Sequence, residues 1–240
     1  SEHFQVLLVN ARHIKNVPGK KTDVLDCEWI CKLLKAGLLK GSFIPEEQIR
    51  HLRNLTRYQK QLQHQIQGEK NRVHKLLEEA NIKLTNVLTD IFGSAGSKIL
   101  ADLSKGITDP QKLSMHLDND KRLAIKKVQG EQALKGRFKA HHQFMLKKML
   151  EHISFLEIQI KQLEQEGEEI IKEYQQDYER LQTIPGIKEK AAKVILAELG
   201  NNMKEFATAK HLTSWSGLCP GNNESAGKKK AADLPRAING

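Results

Sequence analysis

Two stretches of this chain repeat apolar residues every seven positions, and that spacing restricts the fold more than any other feature. In the first, Leu52, Gln59, Ile66, Val73 and Ala80 lie seven apart, with Leu55, Leu62, Glu69 and Leu76 forming a second seam. In the second, Met149, Leu156, Leu163 and Ile170 alternate by fours and threes with Ile153, Ile160, Gly167, Tyr174 and Leu181. A strand alternates every two residues, so only a helix brings these positions to one face. The pattern predicts one helix over 46–80 and another over 132–180, each carrying the narrow stripe of a left-handed coiled coil. Gln59 and Glu69 interrupt the first stripe. Two such helices predict an antiparallel pair, extended by dimerisation into a homo-oligomer.

The rest of the chain divides around them. Residues 4–10 read as a buried strand, and 11–21 as a loop with a Pro18-Gly19 turn. Thr22 is placed to cap a helix over 23–36 that Gly37 closes. Residues 81–135 read as short helices broken at Gly93, Gly96, 106–110 and Gly130. A tight turn at Ile184-Pro185-Gly186-Ile187 opens an alanine-rich helix over 189–199 that stops at Gly200. The expected class is mainly α, in three parts: 1–45, 46–180 and 181–240.

Lys and Arg number 39 against 29 Asp and Glu, a formal charge of +10. That excess suits a polyanionic partner, DNA or RNA, although a basic protein need not bind either. Three cysteines do not make a disulfide framework, which points to a reducing cytoplasm. No apolar run approaches a membrane span, so no membrane partner is expected.

Three places carry side chains suited to phosphate chemistry. Asp23 and Asp26 stand three apart in a helix first turn, where two hard oxygen ligands can share a Mg2+ ion. Acidic residues also favour a helix start for electrostatic reasons alone, and spacing by itself favours that plain explanation. The 184–187 turn, followed by Lys188, Lys190 and Lys193, resembles a helix-hairpin-helix corner offering backbone N–H groups to phosphate; Lys188 replaces the usual second glycine. Ser225 lies in a polar loop with Asn222, Asn223, Lys228, Lys229 and Lys230, groups able to bind phosphoryl oxygens beside a nucleophile. Composition alone favours a flexible loop there. Trp215 and Leu218 read as core beneath it, and Cys27, Cys31 and Cys219 as buried small hydrophobes. His141, His142 and His152 read as helix-surface or seam residues, and Phe155, Tyr174 and Tyr178 as packing groups. The cluster Lys121, Arg122, Lys126 and Lys127 reads by default as a solvated helix face, with phosphate contact as the alternative.

The motif Asn-Glu-Ser-Ala-Gly-Lys at 223–228 follows a Trp-Ser-Gly-Leu-Cys-Pro-Gly lead-in. With Pro-Gly-Lys-Lys-Thr-Asp at 18–23 and Asp90-Ile91-Phe92-Gly93 in the middle, it closely resembles the DEDD-type, serine-containing insertion-sequence transposases of bacteria, the bridge-RNA-guided recombinases. The resemblance spans residues 4–230. It implies a RuvC-like α/β domain whose C-terminal remnant is 1–45, a coiled-coil connector, and a small helical C-terminal domain. It further implies strand exchange through a phosphoserine link at Ser225, with Asp23 and Asp26 as the last two members of an Asp-Glu-Asp-Asp Mg2+ site. Other implied properties are a guide RNA, dimers or tetramers, and a nucleoid-associated location. The first Asp and the Glu of that site would lie upstream of Ser1, so the chain reads as beginning inside a domain, and the 231–240 tail does not resemble the relatives. The rival reading is therefore a catalytically inactive coiled-coil remnant that binds nucleic acid. A purely structural coiled coil explains the heptads but neither terminal motif.

Overall fold

The structure is a computed structural model, and it describes residues 6–9, 23–39, 41–118, 121–217, 224–225 and 228–229. The chain is mainly α. In order come α1 (Asp23–Lys35), α2 (Glu47–Glu79), α3 (Ser94–Ser104), α4 (Pro110–Ser114), α5 (Lys121–Ala124), α6 (Lys127–Ala133), α7 (Ala140–Glu173), α8 (Gln175–Gln182), α9 (Glu189–Leu199) and α10 (Ala209–Trp215). A hairpin of β1 (Glu224–Ser225) and β2 (Lys228–Lys229) follows. No helix among the described residues is long and apolar enough to cross a membrane. The chain divides into two compact units, Leu52–Thr183 and a second made of both chain ends, Ser1–His51 with Ile184–Gly240.

In the middle unit the heptad stripes face one another. Gln59 Nε2 donates to Glu164 Oε1 at 2.8 Å. His152 Nδ1 lies 2.9 Å from Glu69 Oε1, and His142 Nε2 lies 3.8 Å from Glu79. As the α2 position rises through 59, 69 and 79, its α7 partner falls through 164, 152 and 142, which defines an antiparallel pair. The two polar interruptions of the first stripe, Gln59 and Glu69, are thus contacts between helices. Arg72 Nη1 donates to the same Glu69 oxygen at 2.6 Å, so this nearly buried carboxylate has two partners. Seam residues Leu62, Val73, Leu76, Ile153, Leu156 and Ile170 are buried.

Below the pair, α3, α4 and α6 close a core in which Ile99, Leu100, Leu103, Leu113, Leu117 and Leu146 are at most 1% exposed. Fully burying a side chain of this size contributes roughly 1.5–3 kcal/mol. Asp109 caps α4 by accepting from Gln111 N–H at 3.0 Å, with Pro110 at the first helical position.

Several expectations are corrected here. Gly93 and Gly106 do punctuate the segment, but Gly96 lies inside α3 and Gly130 inside α6. A Cβ on Gly96 would overlap the Ile91 backbone, and one on Gly130 would overlap Leu117, so both glycines permit close approach instead of breaking a helix. The second long helix begins at Ala140, not near 132. The chain turns first, because Arg137 N–H donates to Ala80 O at 2.7 Å and Lys83 N–H to Ala133 O at 2.8 Å. Gly136 passes too close to Ala80 O to admit a side chain. The helix ends at Glu173, and α8 continues after Tyr174 leaves helical geometry at φ −115° and ψ 22°.

In the end unit, α1 runs as expected to a positive-φ Gly37. The strand over 4–10 is not observed where it is described. Residues 6–8 are exposed, and Val9 makes only an isolated antiparallel bridge to Gly41, beside a 2.7 Å bond from Ser42 N–H to Leu8 O. A longer strand needs neighbours for its other backbone groups, and no further strand beside it is present among the described residues. Thr22 and the 11–21 loop lie outside the described residues.

Candidate functional site

Asp23 and Asp26 occupy the first and fourth positions of α1, one turn apart along the backbone; their side chains lie outside the described residues. Further along α1, Cys27 and Cys31 are exposed free thiols, which corrects the expectation of burial. Cys219 lies outside the described residues.

The Ile184–Ile187 corner is a hydrogen-bonded turn. Ile187 N–H donates to Ile184 O at 3.0 Å, and Gly186 takes φ +88° after Pro185, the combination a type II turn demands. Lys188 then stands at the N-cap of α9 in extended geometry, φ −99° and ψ 177°, with no side-chain cap bond. The first N–H groups of α9 have no intrahelical acceptor by the geometry of any helix start. Lys188 and Lys190 are exposed there and Lys193 is half-buried. The helix buries Ala192, Leu196 and Ala197, with Lys193 beside them at the edge of that face, and Gly200 ends the helix at φ +71°.

An aromatic cluster joins the two chain ends inside this unit. Phe43 lies 5.4 Å from Phe206 and 6.3 Å from Trp215, and Phe206 lies 5.4 Å from Trp215, all edge to face. Trp215 is half-buried within this cluster, while Leu218 and the loop expected above it lie outside the described residues. Thr208 caps α10 by accepting from His211 N–H at 3.2 Å.

Ser225 lies in a hairpin where a loop was expected. Glu224 pairs with Lys229 and Ser225 with Lys228, so each cross-strand pair shares one face of the ribbon. The register leaves a two-residue link, Ala226-Gly227, which with Asn222, Asn223 and Lys230 lies outside the described residues. All the sequence-derived candidates, Asp23, Asp26, Lys188, Lys190, Lys193, Ser225, Lys228 and Lys229, fall in the end unit.

In the middle unit, Lys127 pairs with Asp118 at 2.6 Å, and Lys121 and Arg122 have side chains outside the described residues. Phe155 is 56% exposed, against its expected packing role, while Tyr174 and Tyr178 are half-buried. Sequence reasoning also missed a convergence of Glu79, His141 and His142, whose ligand atoms lie within 4.8 Å of one another. The adjacent histidines were the available signal; Glu79 comes from a different helix, which no local pattern reveals.

Comparison with known proteins locates matches at both chain ends. A family model described as a transposase, of the DEDD and IS110 type, matches residues 1–82. A second, described as the transposase IS116/IS110/IS902 family, matches residues 178–239. No curated protein and no solved structure matches the chain. The two family matches agree with each other and with the motifs at each end: the chain belongs to the IS110 family of insertion-sequence transposases.

Proposed function

We propose that this transposase exchanges DNA strands through Ser225 as nucleophile, beside a Mg2+ site that includes Asp23 and Asp26. Family membership implies DNA binding and suggests dependence on a divalent metal ion. The observation that best supports the finer reading is that α1, the α9 corner and the serine hairpin belong to one compact unit built from both chain ends. Two carboxylates one helical turn apart are a hard-oxygen donor set that fits Mg2+, which takes few protein ligands and fills its shell with water and phosphate oxygens. Bound there, Mg2+ would supply charge stabilisation to the phosphoryl group.

The chain's own residues then have separate tasks. Ser225 Oγ forms a new O–P bond as the phosphorus bond to the deoxyribose oxygen breaks, the serine losing its proton to solvent and the departing oxygen taking one up, and Lys228, paired with Ser225 across the ribbon, supplies a cation for the anionic phosphate. Lys229, Lys230, Asn222 and Asn223, neighbours of Ser225 in sequence, contribute further phosphate contacts, and Lys188, Lys190 and Lys193 hold a second stretch of backbone at the α9 corner. The reading extends to a guide RNA that selects the DNA partners and to the three-part division at 45 and 180, with a RuvC-like remnant ahead of the connector. It also includes a homo-oligomer. The α2–α7 seam is filled within one chain, so exposed Phe144, Phe155 and Ile158, at helical spacing on α7, support self-association better than the seam does.

Trapping the covalent protein–DNA species on element-end DNA in the presence of Mg2+ tests the proposal. With the remaining Asp and Glu of the metal site supplied, the protein should yield an adduct whose peptide maps to Ser225. An adduct persisting in Ser225→Ala would remove the serine from this role. DNA binding without any adduct would support the inactive, nucleic-acid-binding reading.

A further inference from the structure

The most unusual buried group in the molecule is His142, at the third position of α7. Its residue is 4% exposed, and its Nε2 has no hydrogen-bond partner among the described residues. Buried polar atoms are rarely left unpaired, and each such case calls for an explanation. The other ring nitrogen is occupied: Lys139 N–H, at the helix N-cap, donates to Nδ1 at 3.1 Å. Phe138 packs on one side, with ring centroids 5.6 Å apart, and His141 lies on another at 3.9 Å. Nε2 is aimed at the Glu79 carboxylate, 3.8 Å away, at the C-terminal end of α2. Glu79 and His141 are exposed, so the group opens to solvent on that side.

We propose that Glu79, His141 and His142 bind a divalent transition-metal ion of the zinc class, tying the end of α2 to the first turn of α7. Two imidazoles and one carboxylate suit a borderline ion better than Mg2+, and three protein ligands leave a position for water. A tetrahedral zinc ion holds its ligand atoms about 3.4 Å apart. The ligand atoms lie within 4.8 Å of one another, with 3.8 Å between His142 and Glu79, and rotation of the two exposed side chains closes them onto an ion while the buried one stays fixed by packing. The scaffold is firm at this corner, since the Arg137–Ala80 and Lys83–Ala133 backbone bonds pin the adjoining loops.

The site carries a built-in coupling. With Lys139 N–H donating to Nδ1, a neutral His142 ring holds its proton on Nε2. Metal binding needs the Nε2 lone pair, so that proton leaves Nε2 and one is taken up at Nδ1 through solvent. The ring stays neutral, and the Lys139 hydrogen bond is given up. Ion binding therefore loosens the N-cap of α7 while clamping the helix ends together.

The test is a Co2+ titration with Zn2+ competition, in saturating Mg2+ and in a Cys27→Ser/Cys31→Ser background that removes the exposed thiols. One ion per chain should bind with the visible absorption of four-coordinate Co2+ and raise the melting temperature. Glu79→Gln and His141→Gln, both at exposed positions, should each weaken binding roughly tenfold or more. The Lys139 amide should exchange faster with solvent when the ion is bound. Failure of the wild-type chain to bind Co2+ or Zn2+, or unchanged affinity in both variants, would overturn the site. Slowed exchange at Lys139 would overturn the coupling.

Discussion

The two compact units divide the chain's tasks between them. Leu52–Thr183 holds most of the large fully buried side chains, a continuous core from Val73 to Ile153, and polar contacts that register one helix on another. Among its described residues, the unit made of the chain ends buries the apolar side chains of Ile49, Ala192, Leu196, Ala197 and Phe206, with an aromatic trio to stiffen it. Yet it holds every residue that motif chemistry singles out. Packing sets the middle unit's sequence, so its periodicity is strong. The end unit's candidate residues instead stand at helix starts and on a ribbon tip, where exposed backbone and cationic side chains can meet phosphate.

This contrast breaks first at the chemistry. Ser225→Ala and Asp26→Asn should each reduce transposition of the element below detection while leaving the thermal midpoint unchanged, as expected of groups that serve chemistry and not packing. A parallel loss of stability would mean that the residues are structural. The converse substitution lies in the middle unit. Leu146→Ala, at a 0% exposed position of the core, should lower unfolding free energy by about 2–5 kcal/mol in urea. A loss under about 1 kcal/mol would show that the core collapses around the vacancy.

Intermediate effects are expected at the α9 corner. Gly186→Ala forces a side chain into φ +88° and should destabilise by about 1–2 kcal/mol. Its weakened DNA binding should exceed that of a surface alanine elsewhere. Replacing Lys188, Lys190 and Lys193 with alanine should flatten the dependence of log affinity on log salt, by about 0.9 for each lysine that neutralises a phosphate. An unchanged slope would take the corner out of the DNA interface.

Much of this architecture is legible in the sequence, for a physical reason that also marks its limit. Heptads report a face, and the buried seam follows them position by position; even Gln59 and Glu69, which break the stripe, sit on it as partners of Glu164 and His152. The Pro185-Gly186 turn and the stops at Gly37 and Gly200 are equally local. What failed depends on partners distant in sequence. Gly96 and Gly130 are needed because Ile91 and Leu117 come close, and a sequence window sees only a helix breaker. The late start of α7 follows from a backbone bond between Arg137 and Ala80. Cys27 and Cys31 are exposed, because burial of a small apolar side chain depends on what packs over its helix and not on its own type. At the candidate site, the motifs name Ser225, but its pairing with Lys228 depends on a ribbon that carries no apolar alternation to announce it.

The smallest effect sharpens the comparison inside the middle unit, where charge assists packing. His116 Nε2 lies 2.7 Å from Asp102 Oδ2, joining the short turn after α4 to α3, and Lys105 Nζ lies 3.6 Å from the other oxygen. The bond to His116, followed by the attraction of His116 and Lys105, holds the Asp102 carboxyl below its ordinary value of 3.8 despite partial burial. A carboxyl depressed in the folded state binds its proton more readily when the chain unfolds. Its contribution is therefore fully present above about pH 4 to 5, and is lost as pH falls through the lower folded value. The slope of unfolding free energy with pH on that acid limb should be shallower in Asp102→Asn and intermediate in His116→Ala, which leaves Lys105 in place. Above pH 5 Asp102 contributes no slope of its own, because it is ionised in both folded and unfolded chains. An acid limb identical in all three proteins would remove Asp102 from the account and assign the acid sensitivity to the remaining carboxylates of the unit.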